Sequence, residues 1–201
     1  SLALSYEGPA VPVKKLEQSD SDSAFLYNLC KAYGLSMKVH KKKLVIYDQG
    51  QMEAKPPAAA LKMDDFVDNR WDAADTIYGV YTGARIAYKN PDDSKETSIY
   101  VGLKPESGKG SRTLKMNETA GSAAEARAKA AAQVNLSNQG ATTISGEIWP
   151  DPRICAGVTV SVAGFGKFNG KYFIDKSTLD VGGGGTSQKI EMHKCQPRVP
   201  A

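Results

Sequence analysis

The side chains able to do chemistry are few, and their spacing is poor. His193 and Cys195 lie two apart on a stretch with strand patterning, so they share one face. That pairing suits a Cys–His nucleophile or half of a metal site. His40 and Cys30 would have to complete a four-ligand set, but both belong to an N-terminal segment, and no CxxC occurs. Asp64, Asp65, Asp68, Asp72 and Asp75 surround Trp71. Paired carboxylates beside an aromatic ring suit glycoside hydrolysis, but only at a defined separation that sequence spacing does not set. The plainer reading is a solvated acidic helix or turn with Phe66, Val67 and Trp71 on its buried side. "GFGKFNG" (164–170) resembles a glycine-rich nucleotide loop, yet a β run follows where a helix is required. "SGKGS" (107–111) fails as a phosphate loop, because Leu103 stands where glycine is needed and Gly110 follows Lys109. Lys41, Lys42 and Lys43 fit phosphate contact or protection of a hairpin tip from edge pairing. No catalytic, cofactor-binding or metal-ligating residue is assigned, and no cofactor or enzymatic activity is expected.

The bulk properties agree. The chain has 201 residues, a net charge of +4 and 41% hydrophobic residues, enough for one larger domain or two small ones with a real core. A sequence pI of 8.8 is below the footprint of a dedicated nucleic-acid binder. Three widely spaced cysteines, Cys30, Cys155 and Cys195, argue against a disulfide framework and suit a reducing cytoplasm. No apolar run approaches the ~18–20 residues of a membrane span. The opening "SLALSYEGPAVPVKK" lacks the pattern of a signal peptide. It begins in an extended segment without Met and reads as an excerpt of a longer protein.

Several elements are legible. "LEQSDSDSAFLYNLCKAYGLSMKVHKKKLVIYD" (16–48) has a Ser/Asp cluster at a helix start, with Ser19 and Asp22 spaced like a capping box. Phe25, Leu26, Leu29, Cys30 and Tyr33 follow on one helical face, and Gly34 closes the helix. Strands are expected at 35–40 and 43–48, and a linker or boundary at 49–63. The region from 75 to 117 reads as a small antiparallel sheet with a turn at 90–93. Ser122 and Glu125 form a capping box for a helix over 123–138 with seven alanines, a small-residue face that permits close approach. Beyond it the pattern is all strand: 142–150, an alternating run at 157–165, a hairpin at Asn169-Gly170, a mobile loop at Gly182–Gly185 and a final strand. The fold class expected is α+β and β-rich: a small antiparallel β-barrel or sandwich plus small α/β units with two main helices. The expected division is 1–55, 56–117 and 118–198, a helix-plus-hairpin unit, an antiparallel β unit, and a helix followed by a barrel.

The order of these pieces resembles the tail hub proteins of contractile phages, the late control protein D family, with relatives in R-type pyocins and at the base of type VI secretion spikes. The matching residues are Gln18, Ser21, Asp22, Phe25, Leu26, Leu29, Tyr33, Gly34 and Leu35, with Asn28 where the family has Arg. The C-terminal match runs through Ala156-Gly157, the valine strand, and Asn169, Gly170, Tyr172 and Ile174; a usual His is replaced in the Leu179-Asp180 region. Together they cover 13–48 and about 118–195. The resemblance implies a homotrimeric ring that caps the tail tube and carries a separate spike protein. It also implies wedge-protein neighbours and a channel for the tape-measure protein or DNA. The location implied is the virion tail or baseplate, assembled in the bacterial cytoplasm. Competing expectations are a tail-tip module recognising cell-wall carbohydrate and, more remotely, a hydrolase using the aspartate cluster.

Overall fold

The computed structural model describes residues 3–10, 16–89, 95–182 and 185–200. In chain order the elements are β1 (Ala3–Glu7), α1 (Asp22–Ala32), β2 (Leu35–His40), β3 (Lys43–Asp48), α2 (Gln49–Ala54), β4 (Ala59–Lys62), β5 (Phe66–Asp75), β6 (Gly83–Lys89), β7 (Glu96–Gly102), β8 (Thr113–Ala120), α3 (Ala123–Gln139), β9 (Thr142–Ile148), β10 (Thr159–Ala163), β11 (Gly170–Gly182) and β12 (Gly185–Lys194). Single 3-10 turns occupy Met63–Asp65 and Gly166–Phe168. The fold is α+β and rich in strand. The turn expected at 90–93 lies outside the described residues.

The chain forms two compact units, and each is discontinuous. One comprises Ser1–Gln49, Val80–Asn138 and Arg198–Ala201; the other comprises Gly50–Gly79 and Gln139–Pro197. The two units interleave along the chain and do not follow the three consecutive segments 1–55, 56–117 and 118–198. The reason is the alanine face of α3. Ala126, Ala130, Ala131 and Val134 are buried against Ala84, Ile86 and Val101, so the helix joins the sheet that precedes it and not the strands that follow. That sheet, ordered β7-β6-β8, is mixed, because β8 runs parallel to β6 where an antiparallel sheet was expected.

In the same unit, β1, β3 and β2 form a three-stranded sheet. The α1 cap differs from expectation. Ser21 is the N-cap without a side-chain bond, and Gln18 Nε2 instead donates to Asp22 Oδ1 at 2.7 Å. Only Cys30 of the expected face is buried; Phe25, Leu26 and Leu29 are half-buried. Tyr33 Oη donates to Glu125 Oε1 at 3.2 Å, tying the end of α1 to the first turn of α3. Glu125 also closes the α3 cap: its backbone N–H donates to Ser122 Oγ, and its carboxylate accepts from the Gly121 N–H. Burial, and then the charge of Glu125, push the Tyr33 phenol up to about 12.

The β2–β3 turn is made by Lys41 and Lys42, both left-handed at φ 46° and 63°. A two-residue turn of this kind suits Asn-Gly, because L-residues with a long side chain are strained there. Lys41→Asn combined with Lys42→Gly is expected to raise stability by about 1–2 kcal/mol, read as a higher urea midpoint at unchanged slope.

The second unit is a six-stranded sheet in the order β4-β10-β11-β12-β9-β5. Its edge strands β4 and β5 are joined by only three residues, Met63–Asp65. A flat six-stranded sheet would hold its edges about 24 Å apart, whereas four Cα steps span at most about 14 Å. The sheet must therefore curl, giving a half-barrel around Leu61, Phe66, Ile144, Ile148, Val160, Phe165, Tyr172, Ile174, Ile190 and Met192. β4 pairs parallel to β10, so this sheet too is mixed. The region expected to be a linker, 49–63, supplies α2 and this closing strand. The acidic stretch 66–75 is strand β5, interrupted where Asp68 and Asn69 turn left-handed at φ 50° and 53°. Asn169-Gly170 does not make a two-residue hairpin. Asn169 Oδ1 accepts from the Phe165 N–H at 2.7 Å and closes a longer loop through the 3-10 turn. β11 and β12 run on to Gly182 and Gly185, which pair, so those two of the four glycines expected to loop are strand; Gly183 and Gly184 lie outside the described residues.

Candidate functional site

The sequence candidates are dispersed by the strand geometry. Along β5, Trp71, Ala73 and Asp75 share one face by alternation, and Asp72 takes the other. Trp71 packs edge-on against Phe165 at 4.9 Å. Asp75 accepts from Lys167 Nζ at 3.1 Å and from Thr142 Oγ1 at 3.1 Å. Those hydrogen bonds, the lysine's first, hold its carboxyl below the usual carboxylate range. Asp68 pairs with Arg70 at 3.0 Å, and Asp65 Oδ2 accepts the Lys62 N–H at 2.6 Å. Each of these three carboxylates is engaged separately. The Lys41–Lys42 turn is exposed. The glycines at 164–170 frame a 3-10 turn.

His193 is the candidate that the fold builds into an arrangement, with partners from β11 and α2. A bulge between Ile174 and Lys176 breaks the β11–β12 register. The extra residue, Asp175, turns its carboxylate onto His193: both oxygens lie 2.8 Å from Nδ1. From α2, Glu53 Oε1 lies 3.4 Å from Nε2. The imidazole is 3% exposed and Glu53 7%, with Phe173 packed against the ring at 5.5 Å. Burial pulls the imidazole's pKa down. The hydrogen bond to Asp175, then that to Glu53, and then their charges outweigh it and raise the value to about 9. At neutral pH the group is an imidazolium clamped between two carboxylates. Both ring nitrogens are occupied by acid partners, which suits an ionic clip and leaves no lone pair for a metal or a nucleophile's proton. Among the described residues, no group of three or more His, Cys, Asp or Glu is placed to hold a metal ion. None of the three cysteines is in a disulfide.

A second constructed feature is the loop after β9. Gln188 is 4% exposed. Its Oε1 accepts the Asp151 N–H at 2.8 Å; its Nε2 donates to the Ile154 carbonyl and lies 2.9 Å from Ser177 Oγ. Asp151 and Arg153 pair at 2.7 Å. The pinned loop holds Trp149 68% exposed above a groove of about 510 Å³ lined by Leu61, Asp64, Asp65, Asp151 and Arg153. Gln188→Ala strands the Asp151 donor and the Ile154 acceptor and is expected to cost about 1–3 kcal/mol. Its signature is local: faster rotation of Trp149 in fluorescence anisotropy, which an intact loop would not show.

No family model matches the chain, and no curated protein matches it in sequence. Solved structures do match its fold. The 43 kDa tail protein of prophage MuSo2 from Shewanella oneidensis superposes with a TM-score of 0.71 over 96% of this chain at 14% identity. A tail protein from Neisseria meningitidis MC58 gives 0.65 over 96% at 13% identity. A chain of the virion of a native gene transfer agent particle gives 0.58 over 90% at 17% identity. The chain spans 60%, 61% and 40% of the lengths of these three proteins. The fold is thus one found in a prophage tail protein, in a second tail protein and in a gene transfer agent virion.

Among the described residues, no helix is long and apolar enough to cross a membrane.

Proposed function

We propose that the chain is a structural, non-enzymatic part of a phage or prophage contractile tail: a hub subunit of the baseplate. Three copies form a ring that caps the tail tube and carries a separate spike. Wedge proteins surround the ring, and the tape-measure protein or DNA passes through its channel. The observation that carries this reading is the fold shared with the prophage tail protein over 96% of the chain. The sequence resemblance to hub proteins at 13–48 and about 118–195 points the same way. A load-bearing ring needs rigid subunits. In keeping with this, no buried side-chain nitrogen or oxygen among the described residues lacks a hydrogen-bond partner.

Light scattering after size exclusion, over a concentration series, tests the proposal. A mass of three or six chains is expected; a single-chain mass at every concentration overturns the ring. One feature favours a second reading, a tail-tip module for cell-wall carbohydrate. Trp149 is exposed on a preorganised loop, and an aromatic face is what a sugar ring stacks on. That reading requires a saturable fluorescence change with purified wall polysaccharide, lost in Trp149→Ala.

A further inference from the structure

The β11–β12 hairpin outruns the sheet it belongs to. On one side, β10 pairs with β11 only from Gly170 to Phe173. On the other, β9 pairs with β12 only as far as Gln188. At Thr178↔Lys189 and Leu179↔Gln188 only the β12 residue still has β9 beside it, and from Asp180↔Ser187 to Gly182↔Gly185 the two strands pair with each other alone. The side-chain pattern does not change where the support stops. Ile174, Ser177, Leu179 and Val181 lie on the face that Met192, Ile190 and Gln188 turn to the barrel interior. Ile174 is 0% exposed, whereas Leu179 and Val181 are 58% and 75% exposed. The core-facing row thus continues into solvent on an arm made of 178–182 and 185–187.

An isolated two-stranded ribbon is marginal in water, and exposed strand margins usually carry lysine, proline or a bulge against pairing with other chains. Residues 178–182 and 185–187 contain neither lysine nor proline, and the only register shift in this hairpin lies below them, at Asp175. Together with Lys189 at its base, the arm is also electrically neutral. Its one charged residue, Asp180, pairs with Lys189 at 2.9 Å on the face away from Leu179 and Val181. Neutrality suits contact between copies that each carry +4 and that would repel through a charged patch; a polyanionic partner would call for a basic arm instead.

We infer that this arm is the docking element for a second copy of the chain, which it engages through Leu179, Val181 and the open backbone margins. The inference rests on the ring reading and gives that ring one specific contact. A closed ring then uses the same arm at every interface, each seated on the next copy.

The test compares the wild-type chain with Leu179→Ser/Val181→Ser by sedimentation velocity across a concentration series. Both positions are solvent-facing, so circular dichroism of the variant should match the wild type. The expected result is assembly of the wild type, with the variant's midpoint moved to a concentration about tenfold higher or more. If the variant assembles at the wild-type midpoint, the arm is overturned and the ring stands. If the wild type remains a single chain at all concentrations, both fall. Hydrogen exchange on the wild type alone gives a second readout: peptides covering 178–187 should slow with concentration. Exchange there that is independent of concentration in an assembling protein rejects the arm without any variant.

Discussion

His193→Ala is expected to lower the unfolding free energy by about 3–5 kcal/mol. Removing the imidazolium breaks its ion pairs with Glu53, 7% exposed, and with Asp175, and loss of one partner from a buried ion pair is what makes such truncations severe. The double variant Glu53→Met/His193→Leu should recover most of the loss, because the buried carboxylate goes with its cation while Asp175, 41% exposed, keeps contact with water. The pH dependence gives an independent check. The imidazole's value in the folded chain, about 9, lies above its ordinary 6.5. The cluster's contribution is therefore complete below about 6.5 and is lost as the pH rises through about 9. Linkage puts the loss at about 3 kcal/mol. A wild-type denaturation series from about pH 6 to about pH 10 should show that decline, and His193→Ala should lack it. A flat wild-type profile would mean that the histidine is not charged in the folded protein.

Phe66→Ala is expected to cost about 3–5 kcal/mol. Phe66 is 3% exposed at the start of β5. Its ring meets Phe165 edge-on at 5.6 Å and lies over Gly146, where an added Cβ would fall 2.5 Å from Phe66 ring carbons. This stack fills the seam where the curled sheet brings β5 round toward β4 and β10. Gly146→Ala should itself destabilise the protein, because the Phe66 ring and the Arg70 carbonyl, 2.8 Å from the added carbon, must both shift. In the Phe66→Ala background the ring is gone, so Gly146→Ala should cost less. The difference, read by a double-mutant cycle in urea, measures the packing of ring on glycine. Additive effects would show that the two do not share the seam.

Short-range chemistry was legible in the sequence. The strands at 35–40 and 43–48, the left-handed Gly34 and the Ser122–Glu125 cap all rest on residues within a few positions of one another, and the folded chain has them. So were the alternating valines of β10, and Ile190 and Met192 of β12, because one buried face imposes a period of two. The elements that were not legible depend on distant partners. "AALK" has no strand signal of its own and becomes β4 only because β10 offers an edge and the curl requires closure. β5 reads as an acidic turn because Asp68, Asp72 and Asp75 are exposed while Phe66 and Trp71 pack into the core, with the alternation broken at Asp68 and Asn69. Gln188 looks like any polar strand residue until the 151–154 loop folds onto it.

The candidate site divides in the same way. By itself, the sequence determined that chemistry-bearing residues are sparse, that His193 sits on a strand, and that a capped alanine-rich helix precedes a run of C-terminal strands. Only the tertiary structure decided what His193 does. A bulge supplies Asp175 from the adjacent strand, and α2 supplies Glu53 from 140 positions away. A bulge is a local failure of register, and a helix docking is a long-range event. Neither leaves a periodic mark in the chain. The same holds for the arm: the glycines at 182–185 suggest mobility when read alone, whereas pairing between β11 and β12 carries two strands and an apolar row past the end of the sheet. Spacing sets which residues share a face, but the lengths of the neighbouring strands set which part of that face is covered.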